Sequence, residues 1–302
     1  MVAERILVRV DDRELELSNL DKVLYPAVGF TKGEVIDYYT RISPVLLPHL
    51  RDRALTRIRY PNGVDAAFFF EKNAPGGTPG WVRLETLPAP GSSTGREMLD
   101  YVVADDLPTL VWLANLASLE LHTPQWKVGS DGPDVMVVDL DPGAPVALPE
   151  CCEVALLLRD RLASDGLDAY PKTSGKKGMQ LCCPIAGTQP SDQVSGYARR
   201  VAEELERAHP RLVTSKMAKR LRPGKVFIDW SQNNAAKTTV APYSLRAMPM
   251  PTVSAPLTWD EVASGAVTAG ELTASVVLDR VEKHGDLLAA LCEPGPETPD
   301  GR

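Results

Sequence analysis

Val135-Met136-Val137-Val138-Asp139-Leu140-Asp141-Pro142-Gly143 is the stretch on which the fold turns. A β-branched, apolar run that ends in Pro-Gly reads as a short buried strand closing in a turn. Residues two apart on a strand share a face, so Asp139 and Asp141 stand side by side where the backbone leaves the core. Two ionised carboxylates this close repel unless one is protonated or a divalent cation neutralises them, and hard oxygen donors favour the cation. Asp and Gly also suit turns for local reasons, so the stretch alone is ambiguous. Val226-Phe227-Ile228-Asp229-Trp230 weighs against a mere turn, because it sets a third aspartate within a second apolar run. Three carboxylates on neighbouring strands could hold two Mg²⁺ or Mn²⁺ ions about 3.5–4 Å apart, the clamp used for in-line nucleotidyl transfer.

Outward from this centre, helices alternate with short strands. Thr31 and Glu34 have capping-box spacing, and Val35, Ile36, Tyr39, Ile42 and Val45 recur at helical intervals, predicting a helix from Thr31 to Pro44. Leu107 to Leu121 is apolar nearly all round and reads as a buried helix with His122 at its exit. Further helices are expected over Leu148–Ala163, Ser191–Ala208 and Gly270–Leu291, with strands at Gln180–Ile185 and Val226–Trp230. Pro61 to Gly95 reads as loops around a short strand, Lys237 to Arg246 as extended chain, and residues 293–302 as a flexible tail. The pattern predicts a mixed α/β fold with a central, mostly antiparallel sheet.

Lys+Arg 33 against Asp+Glu 40 leaves a net charge of -7 on 302 residues, which argues against a uniformly basic nucleic-acid coat or a polybasic membrane surface. No apolar run reaches the roughly 18 residues of a spanning helix, and the opening MVAERILVRV is too charged for a signal peptide, so a cytoplasmic protein is expected. Cys151-Cys152, Cys182-Cys183 and Cys292 lack zinc-site spacing and read as small core residues.

Any polyanion site must then be a local patch. Ala169 to Ser191 contains no acidic residue and carries Lys172, Ser174, Lys176 and Lys177 among glycines, which suits a triphosphate although it is not a Walker A loop. Arg207 to Lys225 is also free of acids and holds seven basic residues, the sign a nucleic-acid backbone requires. A solvated helix face would have the same composition. Phe68, Phe69 and Phe70 could offer a stacking platform for a base, with burial of at least one as the competing reading.

VVDLDPG, KTSGKKGMQ, GKVFIDWSQNN and KTTVAPYSLR together resemble the archaeo-eukaryotic primase superfamily, and more closely the polymerase domain of bacterial ligase D and its stand-alone actinobacterial relatives. The resemblance extends from SNLDKVLYP and GVDAAFFFEKNAP through LHTPQW to APLTWDEV. It implies two interleaved modules over residues 1–292, divided near residue 105, around a catalytic sheet, one module resembling an RNA-recognition motif. It implies Mn²⁺-dependent (or Mg²⁺-dependent) addition of nucleotides, preferably ribonucleotides, to a primer at DNA gaps or broken ends, in a bacterial, nucleoid-associated setting.

By motif, the resemblance puts two metal ions on Asp139, Asp141 and Asp229. Nucleoside triphosphate contacts fall on Ser174, Lys177 and Arg246, with Gln232 and Arg222 nearby, and His122 matches the residue that contacts the sugar. Phe69 and Phe70 match aromatics that stack on the template, and Lys22 and Lys32 match lysines that hold a downstream 5′-phosphate. Lys32 would lie in the first turn of a helix, where backbone N–H groups and the dipole also favour an anion. The family loop usually reads SGxKGxH, whereas Gln180 stands here in the last place; it can donate a hydrogen bond to phosphate but cannot carry imidazolium charge. Ligase and nuclease modules are absent from the sequence, so a separate DNA ligase and an end-binding protein are expected partners. Gln180 also keeps open a catalytically weak module that aligns DNA ends for that ligase.

Overall fold

The computed structural model describes residues 5–89 and 95–299. Part of the expected Pro61–Gly95 loop and the last three residues of the expected tail lie outside them. The chain opens with hairpin β1 (Arg5–Val10) and β2 (Arg13–Ser18), then the small pair β3 (Val23–Tyr25) and β4 (Phe30–Thr31). Helix α1 (Lys32–Leu50) starts at a complete capping box: Glu34 N donates to Thr31 Oγ1 at 3.2 Å, and Thr31 N donates to Glu34 Oε2 at 2.7 Å. It runs past Pro44, where it was expected to stop. The carbonyl of Thr40, which Pro44 leaves without an amide, accepts the Ser43 hydroxyl at 2.8 Å, and the fully buried Leu46 and Leu50 continue the apolar face.

Strands β5 (Thr56–Arg59) and β6 (Phe69–Glu71) follow, then hairpin β7 (Leu84–Pro88) and β8 (Met98–Val102). The single helix expected over Leu107–Leu121 is instead α2 (Leu107–Asn115) and strand β9 (Ser118–Thr123), separated at Ala117 by a positive φ of 57°. β9 is buried on both faces, so its composition is apolar on either reading, and periodicity cannot separate strand from helix there.

β10 (Val135–Pro142) contains the aspartate pair. Helix α3 (Leu148–Ala163), hairpin β11 (Tyr170–Thr173) and β12 (Met179–Pro184), helix α4 (Ser191–Ala208), β13 (Val213–Thr214), β14 (Val226–Asp229) and β15 (Thr239–Val240) come next. Short α5 (Trp259–Ser264) and α6 (Ala274–His284) close the fold. The helix expected to reach Leu291 ends at Gly285, whose φ of 67° suits glycine, and a 3₁₀ turn over Ala289–Cys292 follows.

Two sheets carry the molecule. One has the order β11-β12-β10-β14-β13, antiparallel except for the β13–β14 edge; the other, β15-β9-β5-β6, is wholly antiparallel. The second sheet takes strands from both sides of residue 105, so the two parts of the chain interleave through it. The mixed α/β, mostly antiparallel expectation holds.

The tail expected to be loose is docked as far as Pro299. Thr298 is buried, its N–H donates to Gln189 Oε1 at 2.7 Å, and the Pro296 carbonyl accepts from Ala186 N at 3.1 Å. Among the described residues no helix is long and apolar enough to cross a membrane.

Candidate active site

Strand register builds the floor of the site. Asp139 on β10 pairs with Gln180 on one side and with Asp229 on the other, and Gln180 pairs in turn with Lys172 of β11. Four polar residues thus form one row across four strands, and Asp141, two residues after Asp139, stands opposite Phe227. Beyond this floor opens a cleft of about 410 Å³ whose lining includes His122, Asp139, Asp141, Ser174, Lys177, Gln180, Gln232 and Arg246. Eight of the residues proposed from sequence therefore meet at one place, though they span more than a hundred positions of chain.

The carboxylates load this floor with negative charge. Burial first, then the charge of Asp141, pushes Asp139 up to about 7, and burial with the charge of Asp229 raises Asp141. Compensation is partial. Arg222 Nη1 lies 3.9 Å from Asp141 Oδ2, its guanidinium 3.6 Å from the centre of the Phe227 ring, so Arg222 stands beside the aspartate rather than within the cleft lining. Asp229 Oδ1 accepts from Ser231 N at 2.9 Å, and Oδ2 accepts from Gln232 Nε2 at 3.1 Å with Lys237 Nζ at 3.6 Å. Gln232 is thus a holder of Asp229. Among the described residues no three His, Cys, Asp or Glu side chains are arranged to hold a metal ion. Asp139 and Asp141 carry the hard oxygens that could hold a divalent ion, with Asp229 as the cross-strand neighbour of Asp139.

Gln180 is buried and committed. Its Oε1 accepts from Lys172 Nζ at 2.5 Å, and its side chain hydrogen-bonds to Asp139. Lys172, expected in the phosphate loop, is instead buried in β11, where Nζ also donates to Ser254 Oγ at 2.7 Å and to the Val240 carbonyl at 3.0 Å. The loop proper is a tight β11–β12 connection: Ser174 Oγ accepts from Gly178 N at 3.1 Å, and Lys176 and Lys177 are exposed. A Cβ on Gly175 would meet Arg246 Cγ at 2.5 Å and the Val253 carbonyl at 2.8 Å, so the glycine's close approach is to the protein's own wall.

One organising residue was not foreseen. Glu120, fully buried on β9, accepts from Ala247 N at 3.0 Å and lies 3.0 Å from His122 Nε2, 3.3 Å from Lys176 Nζ and 3.4 Å from Arg246 Nε. Burial opposes its charge, yet the His122 hydrogen bond and the Arg246 guanidinium hold its carboxyl down at about 2, while burial and Arg246 lower His122. The signal was the two-residue spacing of Glu120 and His122, which puts both on one face only if the segment is a strand.

Two groups lie apart from the cleft. Phe68, Phe69 and Phe70 are all more than half exposed, with Phe69 and Phe70 on the edge strand β6, which answers the question of burial. Lys22 Nζ donates to Asn62 Oδ1 at 2.8 Å, and the buried Lys32 Nζ donates to the Ser18 carbonyl at 2.5 Å. Burial, then the charge of Lys22, lowers Lys32 to about 8. The first amides of α1 are not free for an anion as expected: Lys32 N donates to the Lys22 carbonyl and Gly33 N to that of Leu20, both at 2.8 Å. The basic Arg207–Lys225 stretch is not a helix face either; from Lys216 to Arg220 it is an exposed loop with one 3₁₀ turn over Lys219–Leu221.

Residues 31–288 match the model of the LigD primase-polymerase domain. The chain belongs to that family. It is 47% identical over 285 residues to the multifunctional non-homologous end joining protein LigD of Mycolicibacterium smegmatis, covering 93% of this chain and 36% of that protein. It is 34% identical over 273 residues to the bifunctional LigD of Bacillus subtilis, covering 90% of this chain and 43% of that one. The chain thus spans well under half the length of these relatives. The polymerase domain of Mycobacterium tuberculosis ligase D, solved in complex with DNA, superposes with a TM-score of 0.87 at 44% identity, covering 92% of this chain and 98% of that domain. The LigD polymerase architecture is therefore the fold of this chain.

Proposed function

We propose that this LigD-type domain is a DNA-repair primase-polymerase that adds nucleotides, preferably ribonucleotides, to a primer 3′-OH at gaps or broken ends. The observation that carries the reading is the strand register that puts Asp139 between Gln180 and Asp229 beneath a cleft walled by Ser174, Lys177, His122 and Arg246. Two divalent ions, Mn²⁺ or Mg²⁺, bound by Asp139, Asp141 and Asp229 would supply the charge for activating the primer hydroxyl and steadying the leaving pyrophosphate.

The chain's own residues supply the rest. Ser174, Lys177 and Arg246 present a hydroxyl and two cations to the triphosphate. Glu120 restrains Arg246 and His122, so both are oriented before a nucleotide arrives. With Nε2 engaged by Glu120, His122 has its other ring nitrogen for a sugar hydroxyl, and a site built for that hydroxyl disfavours the deoxy sugar. The exposed Phe69 and Phe70 offer ring faces to template bases, and Lys22 with Lys32 offers charge to a 5′-phosphate. A separate ligase and an end-binding protein would complete repair.

The test is primer extension on a 5′-phosphorylated gapped duplex with Mn²⁺, comparing ATP with dATP. Extension with preference for ATP supports the reading. Tight DNA binding without extension would favour the end-aligning module, which the saturated Asp229 carboxylate keeps in view.

A further inference from the structure

Two cations share one carboxylate oxygen on the wall of the nucleotide cleft. Glu120 Oε1 accepts from Ala247 N at 3.0 Å, while Lys176 Nζ lies 3.3 Å and Arg246 Nε 3.4 Å from that same oxygen, and His122 takes Oε2. A well-made charged pair is shorter, about 2.7–2.9 Å, so neither cation has Glu120 as a dedicated partner. Lys177 adds a further positive charge to the lining, and from Ala169 to Ser191 the chain contains no acidic residue to offset it. This wall sets Lys176, Lys177 and Arg246 against a single carboxylate.

Lys176 combines a fixed root with a movable head. Ser174 Oγ accepts from Lys176 N at 3.3 Å and from Gly178 N at 3.1 Å, Ser174 N donates to the Gly178 carbonyl at 2.9 Å, and Thr252 Oγ1 donates to the Gly175 carbonyl at 2.7 Å. The loop backbone is thereby tied to itself and to the wall behind it. Beyond that root the side chain is 39% exposed, and its flexible stem lets the ammonium swing without moving the loop. Lys172 offers the contrast: it is fully buried and its Nζ donates to Gln180, Val240 and Ser254. Gln180 itself carries no charge and spends its Oε1 on Lys172. Positive charge that can reach a ligand on this side of the cleft therefore comes from the loop rather than from the strands that flank it.

We propose that Lys176 is a further nucleotide-binding residue, which leaves Glu120 for the β- and γ-phosphates of the incoming nucleoside triphosphate. The inference deepens the polymerase reading and rests on it. In moving, the ammonium exchanges a shared, buried oxygen for an anion of higher charge that it can meet at full hydrogen-bond contact. Glu120 then keeps Arg246 and His122 alone, so the triphosphate gains a cation while the rest of the wall stays ordered.

The test is equilibrium binding of ATP, ADP and AMP to the full chain at one fixed Mn²⁺ and salt concentration, for the wild type, Lys176→Met and Lys176→Arg. Lys176→Met should weaken ATP about tenfold, as expected for one lost charge-assisted hydrogen bond, and should leave AMP nearly unchanged, while Lys176→Arg stays close to wild type. An equal loss for AMP overturns the inference, because the effect would then lie outside the β- and γ-phosphates. In the Glu120→Gln background a direct contact predicts that Lys176→Met still weakens ATP; an effect that vanishes there shows a lysine acting only by steadying Glu120, and overturns the inference as well. If the wild type binds ATP and Lys176→Met binds it equally well, this inference alone falls. A wild type without saturable ATP binding would take the polymerase reading down with it.

Discussion

The floor of the cleft and the corner before α1 both crowd like charges together, but they do so with opposite sign and by different means. On the floor, strand register forces the crowding: Asp139 and Asp229 are cross-strand partners, and Asp141 shares their strand end. At the corner, Lys32 is buried beside Lys22, and among the described residues neither has a carboxylate partner. A fold tolerates such an imbalance where a ligand of the other sign completes it. On the floor Arg222 and Lys237 offset the carboxylates only in part, while at the corner no carboxylate among the described residues offsets the lysines. Glu120 shows the contrasting case, a buried carboxylate with His122, Lys176 and Arg246 around it, whose task is to hold other groups.

The largest effect should come from breaking the floor. Asp139→Ala, Asp141→Ala or Asp229→Ala should each reduce primer extension by about 10⁴-fold while duplex binding, measured by anisotropy, changes little. Near-normal extension by any of the three would remove it from the metal site.

Glu120→Gln sharpens the contrast between ligand-completed and self-completed charge. Releasing Arg246 and His122 should raise the nucleotide KM about tenfold, equivalent to about 1.4 kcal/mol, with a smaller change in kcat. An unchanged KM would mean that the restraint is not needed.

The corner should respond to its own ligand alone. The Lys22→Ala/Lys32→Ala double variant should lose a preference of about tenfold for a 5′-phosphorylated gap, read by titration at one fixed salt concentration, and bind unphosphorylated gaps much as before. Equal wild-type affinity for both gaps would discard the pocket.

The smallest effect concerns pH. Asp139 is raised from 3.8 to about 7, so between those values the folded protein keeps a proton that the unfolded chain has lost. Stability of the metal-free protein should therefore fall as pH rises from about 4 to about 7 through this group, and Asp139→Asn should flatten that slope in denaturant titrations. Mn²⁺ should reverse the loss above pH 7, where the carboxylates are free to bind it, and raise Tm. A slope identical in the Asn variant would show that the crowding is relieved some other way.

Much of this was legible in advance because it depends on local pattern. Spacing alone placed Asp139 and Asp141 on one face, the capping box started α1 at the right residue, and a second apolar run supplied Asp229. Where local pattern is degenerate, the reading went astray. Ser118–Thr123 is buried on both faces and so looks helical, and that error hid the Glu120–His122 pair. Lys172 looked like a loop residue and Gln180 like a phosphate donor beside it, yet they tie β11 and β12 to each other and to Asp139.

What the sequence determined by itself, then, is the alphabet of the site: which strands end in carboxylates, which loop carries hydroxyl and lysine, which segment is basic. These follow from side-chain periodicity and composition, which act over a few residues. Tertiary structure alone decided the pairings. That Asp139 faces Asp229 rather than a neighbour one residue away depends on β10–β14 register, and that His49 meets both Asp286 and Cys292 depends on where α6 breaks. Register and helix ends are set by burial across the whole core, a long-range sum that no short window of sequence contains.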